Sequence, residues 1–209
     1  MENKQSSAQP LREIDSTRLE GFSDGVLAVI ITIMVLALRP PDGDTLTALQ
    51  TLIPGLLIYV LSFTTIGIYW LNHHHLLRAT RRISGGVMWA NLHLLFWLSL
   101  VPVVTAWVGA HFSSRWPAVT YGAIGFMAGV AYYILTMTIR NINQDARISE
   151  LLQRGIKAKG SLVLITLGIA LAFISEPLGP ILAYCTYGVV AIIWFIPDRR
   201  FATSGGGKD

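Results

Sequence analysis

The chain is 209 residues long, 53% hydrophobic and only 13% charged, with a mean hydropathy of +0.54. That composition is too apolar for a water-soluble domain of this size and marks an integral membrane protein. The formal charge of +4 is dispersed as short basic clusters between apolar spans, which suits membrane topology and leaves no continuous basic surface for nucleic acid.

In chain order, residues 1–17 are polar, have no apolar core of their own, and are expected to form a cytoplasmic arm, with Asp15, Ser16 and Thr17 as candidate helix caps. Arg18 to Leu38 follows, free of charge from Gly25 onward. At about 1.5 Å of rise per residue it is close to the roughly 30 Å hydrocarbon core of a bilayer, so it reads as the first membrane helix and signal anchor. Arg39, Pro40 and Pro41 end it, and Asp42-Gly43-Asp44 turns the chain. At about 100° per residue, Arg18, Phe22, Gly25, Val29, Thr32, Ile33 and Leu36 share one face, and Asp24 points away from it. Such a face suits packing against another helix, with Arg18 snorkelling to the headgroups. Ionisable groups at the mouth of a membrane helix cost a few kcal/mol unless paired or hydrated, which makes Arg18, Ser23 and Asp24 functional candidates.

The second helix is expected from about Leu49 or Pro54 to His75, followed by the basic cluster Arg78, Arg81 and Arg82. A third runs from about Val87 to Ala110, with Asn91 and His93 near its start and Pro102 inside it. The fourth, from about Pro117 to Ile139, carries Gly122, Gly125 and Gly129; the last two form a GxxxG pair, read as a packing device. Asn141 to Gly160 is basic and amphipathic, suited to a membrane surface. Ser161 to Pro197 contains one charge, Glu176, and is divided at Ser175–Pro180 into helices five and six. The lone cysteine, Cys185, lies in this apolar stretch and permits no intrachain disulfide or thiolate cluster. The predicted organisation is therefore all-α: a six-helix transmembrane domain over 18–198 between the arm and a cytoplasmic tail, 199–209. With both termini cytoplasmic, 14 of the 16 Lys and Arg residues fall inside, leaving Arg39 and Arg115 outside.

Asn72, His73, His74 and His75 raise a metal reading. Adjacent histidines on a helix diverge by about 100°, and no carboxylate lies within a turn in sequence. The alternative is that Trp70 and one of His73 or His74 face the first helix and satisfy its polar head. No nucleophile–base pair, phosphate loop or carboxylate pair sharing a membrane helix face is present, so neither enzymatic activity nor a cofactor is expected. The rival function, a membrane-embedded metal-dependent enzyme, would draw on His73, His74 and His93; a secondary transporter would need broken helices in matching halves.

Arg18, Phe22, Ser23 and Asp24 spell R-x-x-x-F-S-D at the head of the first membrane helix. In this motif the chain resembles the transmembrane protein 175 family, the lysosomal potassium channels and their bacterial relatives. There is no second copy of the motif, so the resemblance is to single-repeat bacterial members. It implies a homotetramer in the plasma or inner membrane of a prokaryote, with helix one lining a central pore that passes potassium passively. Val29 and Leu36 match the positions where relatives narrow the pore, and Ile33 joins them by geometry and by analogy with some bacterial members. Thr32 would offer hydroxyls to a permeating potassium ion between the apolar layers. With no T-V-G-Y-G-type filter, selectivity would arise from a hydrophobic gate and that hydroxyl. The resemblance also implies that a W-x-x-H-type pattern, here Trp70 with His73 or His74, hydrogen-bonds with the first-helix motif.

Overall fold

The structure, a computed structural model, describes residues 16–36, 38, 40–78, 80, 82–143 and 155–195. Residues 1–15 of the arm, with the candidate cap Asp15, the stop residue Arg39, the basic residues Arg81, Arg147 and Arg154, and the tail with Arg199 and Arg200 lie outside the described residues, whereas Ser16 and Thr17 already belong to the first helix.

Every described element is a helix: α1 Ser16–Leu36, α2 Leu46–Thr51, α3 Ile53–Arg78, α4 Gly85–Ser99, α5 Val101–Ala110, α6 Arg115–Ile142, α7 Gly155–Leu171 and α8 Leu178–Phe195. Backbone polar groups satisfied within the segment are what the hydrocarbon core demands of a spanning chain. Among the described residues, five stretches are long and apolar enough to cross: Thr17–Leu36, Ile53–Arg78, Gly85–Ala110, Arg115–Ile142 and Leu178–Phe195. The 17 residues of α7 reach only about 25 Å.

Three boundaries depart from the sequence reading. The approach to the second span forms its own short helix, α2, because Thr45 caps it by accepting the Ala48 N–H at 3.2 Å. Pro54 then sits in the first turn of α3, where a missing N–H is harmless. The third span is interrupted at Leu100, since Pro102 has no N–H to give the carbonyl four residues back; Leu100 bonds Trp97 at 3.3 Å, and the ladder resumes with Val104 on Leu100 at 3.2 Å. Lys157 and Lys159, expected in a surface segment, belong to the first turns of α7.

α1 lies on α3, α4 and α5. Its residues Leu19, Leu27, Ile30 and Met34 are buried, at spacings of eight, three and four, in a core shared with Ile66, Leu77, Leu94 and Leu135 of α3, α4 and α6. A second core joins Ile58, Val104, Ala118 and Tyr187 of α3, α5, α6 and α8. The two are tied by a buried polar chain. Thr105 donates to the Val101 carbonyl at 2.7 Å and therefore accepts from Ser62 at 2.7 Å, whose oxygen in turn faces the Tyr121 hydroxyl at 3.1 Å.

The GxxxG reading holds for half the pair. A Cβ at Gly129 would come within 3.0 Å of Leu162, and one at Gly122 would run into the Tyr187 hydroxyl, so these two glycines let α7 and α8 approach α6. Gly125 has nothing within 4 Å and faces open space.

Candidate functional site: the clamp on helix α1 and its exposed face

The mouth of α1 is held by α3 in antiparallel register. Glu20 and Asp24 are one turn apart on α1; His74 and Trp70 are one turn apart on α3. Trp70 Nε1–H donates to Asp24 Oδ1 at 3.0 Å, and His74 Nδ1 lies 2.7 Å from Glu20 Oε1. The Trp70 and His74 rings stack with centroids 5.9 Å apart, which fixes the two partners as one surface. Arg78 adds its Nε at 4.0 Å from Glu20, on a largely exposed side chain.

Beneath this lies a fully buried relay. Ser23 donates to the Leu19 carbonyl at 2.8 Å and accepts from Asn91 Nδ2 at 2.9 Å. Asn91 Oδ1 then faces His73 Nε2 at 2.7 Å. An amide that donates from nitrogen to Ser23 presents only its oxygen to His73, so His73 carries its proton on Nε2. Ser23 and Asn91 are 0% exposed and His73 is 1% exposed, a depth at which unpaired polar groups are costly. Both histidines thus serve α1: His74 directly through Glu20, His73 through Asn91.

The signature residues divide accordingly. Ser23 and Asp24 face the clamp, whereas Arg18 and Phe22 are exposed on the opposite side. Val29, Ile33 and Leu36, at 54%, 48% and 80% exposed, and Thr32 lie on that same open face. Thr32 donates to the carbonyls of Ala28 and Val29 at 3.0 and 2.9 Å. Its only hydrogen is thereby directed into the helix, which leaves the oxygen as an acceptor on the exposed face.

The histidine triplet does not converge as a metal centre. His93 Nε2 accepts from Trp97 at 2.9 Å within α4, and His73 Nε2 is committed to Asn91. The trio that comes closest to a ligand set among the described residues is Glu20, Asp24 and His74, with ligand atoms within 4.8 Å of one another. No carboxylate lies within a turn of the histidines in sequence, but both acids arrive in space from α1. Each member of the trio already meets a protein partner.

Sequence reasoning missed Glu20 and left Asn91 unassigned. Glu20 stands four residues before Asp24, the spacing that shares a helix face. Asn91 is an amide inside an apolar run, itself a sign of a required partner.

Comparison with known proteins follows the same residues. The family model described as the endosomal/lysosomal potassium channel TMEM175 matches residues 18–102, spanning the motif, the clamp and the α4–α5 break. A potassium channel of Chryseobacterium sp. (strain P1-3) is 45% identical over 188 residues, covering 90% of this chain and 96% of that protein. The crystal structure of a lysosomal potassium-selective channel TMEM175 homologue from Chamaesiphon minutus superposes with a TM-score of 0.76 at 25% identity, over 86% of this chain and 96% of that one. The human endosomal/lysosomal proton channel TMEM175 is 34% identical over 87 residues, which cover 34% of this chain and 17% of that protein.

Proposed function

This chain belongs to the TMEM175 family, and on that footing we propose that it is a potassium-permeable cation channel in which α1 lines the pore. The observation that carries the reading is the division of α1. One face is buried against α3, α4 and α5, while Val29, Thr32, Ile33 and Leu36 form a continuous apolar strip, with one hydroxyl, that stays exposed in the protomer.

A single helix cannot enclose a path, but four copies related by a rotation axis can. In the proposed homotetramer the three apolar positions form stacked rings that offer a cation no ligands in exchange for its hydration shell, a barrier of size and dewetting. The Thr32 hydroxyls lie between those rings as the polar contact for a partly stripped ion. Conduction is passive, and no cofactor or chemical step is involved. The proposed setting is a prokaryotic plasma or inner membrane, with both termini in the cytoplasm, as the charge distribution supports.

The test is reconstitution in liposomes with a potassium gradient, with sodium substituted in parallel and internal pH recorded. Potassium flux exceeding sodium flux supports the reading. Absence of cation flux from correctly assembled protein overturns it, and proton movement alone would assign the pore the ion named for the human relative.

A further inference from the structure

α3 presents the clamp to α1 on one side and, over the same turns, walls a cavity on the other. The cavity lies between α3, α6, α7 and α8 and measures about 100 Å³. Its wall includes five aromatic rings: Tyr69, Tyr121, Tyr132, Tyr187 and Trp194. The opening exists because α6 places Gly125 there, where an added Cβ would meet nothing within 4 Å, while Gly122 and Gly129 on either side are in tight contact with their neighbours.

The polar groups around this space are engaged, with one exception. Trp194 donates to Ser161 at 2.7 Å, Tyr187 donates to the Ala118 carbonyl at 3.3 Å, and Tyr121 pairs with Ser62 at 3.1 Å. The Tyr69 hydroxyl makes no hydrogen bond to a described residue, although it lines the cavity beside Gly129, 3.7 Å from the site of an added Cβ. Tyr69 is half-buried and its hydroxyl faces the cavity, where an acceptor on a bound molecule would satisfy it.

We propose that this cavity is a binding site for a small, neutral, mainly hydrocarbon molecule that carries one hydrogen-bond acceptor, which Tyr69 recognises. Size sets the class: an apolar cavity of about 150 Å³ holds benzene, so this one takes a ring or branched chain slightly smaller. The aromatic wall supplies apolar contact, and the absence of a charged group on it excludes ions.

The inference goes beyond the channel reading, and its test records binding alone. The probe is cyclopentanone, with cyclopentane as the analogue lacking an acceptor, and the readout is saturation transfer by NMR from the full-length protein in nanodiscs, corrected by empty discs. Wild-type protein is expected to show saturable transfer to both probes. Gly125→Val, which fills the space, abolishes both signals; Gly125→Ala, which the backbone accommodates, weakens both. Tyr69→Phe weakens cyclopentanone about fivefold, the loss of one hydrogen bond, and leaves cyclopentane unchanged. No transfer above empty discs, equal transfer in wild type and both Gly125 variants, or equal loss of both probes in Tyr69→Phe overturns the proposal.

Discussion

Trp70 donates its indole N–H to Asp24 at 3.0 Å, joining the second span to the polar mouth of the first. The pair is partly exposed, so its worth lies near the low end for a hydrogen bond to a charged acceptor, about 1.5 kcal/mol. Asp24→Ala should therefore lower stability by about that amount and reduce the tetramer fraction, whereas Asp24→Asn, which keeps an acceptor oxygen, should lose less. Thermal unfolding and size-exclusion light scattering in detergent check this. Wild-type assembly and flux in Asp24→Ala would make Asp24 an independent surface group.

The buried relay is predicted to matter more. Asn91→Leu leaves the Ser23 oxygen without its donor and His73 Nε2–H without an acceptor at a depth water does not reach, each at about 1 to 3 kcal/mol. Ser23→Ala strands one Asn91 donor and should cost about half as much. The ordering Asn91→Leu, then Ser23→Ala, then Asp24→Ala in unfolding temperature is the expected result, and Asp24→Ala as the most damaging would reverse the argument.

The constriction can be tested with little cost to the protomer's core, because Val29 and Leu36 lie on the exposed face of α1 and outside its buried core. Val29→Ser and Leu36→Ser should raise cation flux and weaken discrimination between potassium and sodium, since a hydroxyl ring lowers the dewetting barrier. Thr32→Ala should chiefly change selectivity. Flux is to be normalised to tetramer content; if all three variants conduct as wild type does, α1 does not line the pore.

Topology gives a fourth prediction. A reporter fused after Asp209 should be cytoplasmic, and a tag within Asp42 to Thr45 should be reachable from outside. Labelling in the opposite sense would overturn the orientation.

The faces of α1 were legible in the sequence because a single helix with a 3.6-residue period determines them without knowledge of neighbours. Val29, Ile33 and Leu36 fall on one side by arithmetic, and Asp24 turns from them as expected. The partners were legible only in part. Trp70 and the histidines were recognised through the family motif, but periodicity cannot say that His73 reaches Ser23 through an amide on a third helix. That link depends on tertiary packing, which is also why the choice between His73 and His74 proved a false alternative: each takes a different group on α1. The sequence reading carried the third helix unbroken through Pro102, although the lost N–H that accompanies the break at Leu100 is a local and readable effect. The different fates of Gly125 and Gly129 were beyond the sequence, since a GxxxG spacing specifies a shared face and not what stands opposite each glycine.

The clamp grips α1 at one end only. Beyond Asp24, no side-chain hydrogen bond or ion pair among the described residues ties the helix to another element; Leu27, Ile30 and Met34 hold it by apolar contact, which has no preferred direction. A tilt of α1 would therefore pivot at Glu20 and Asp24. From Asp24 to Leu36 the arm is about 18 Å long, so a tilt of about 5° displaces Leu36 by about 1.6 Å. In the proposed homotetramer every arm would contribute that displacement at once, and the aperture at the tips would change far more than the geometry at the pivots.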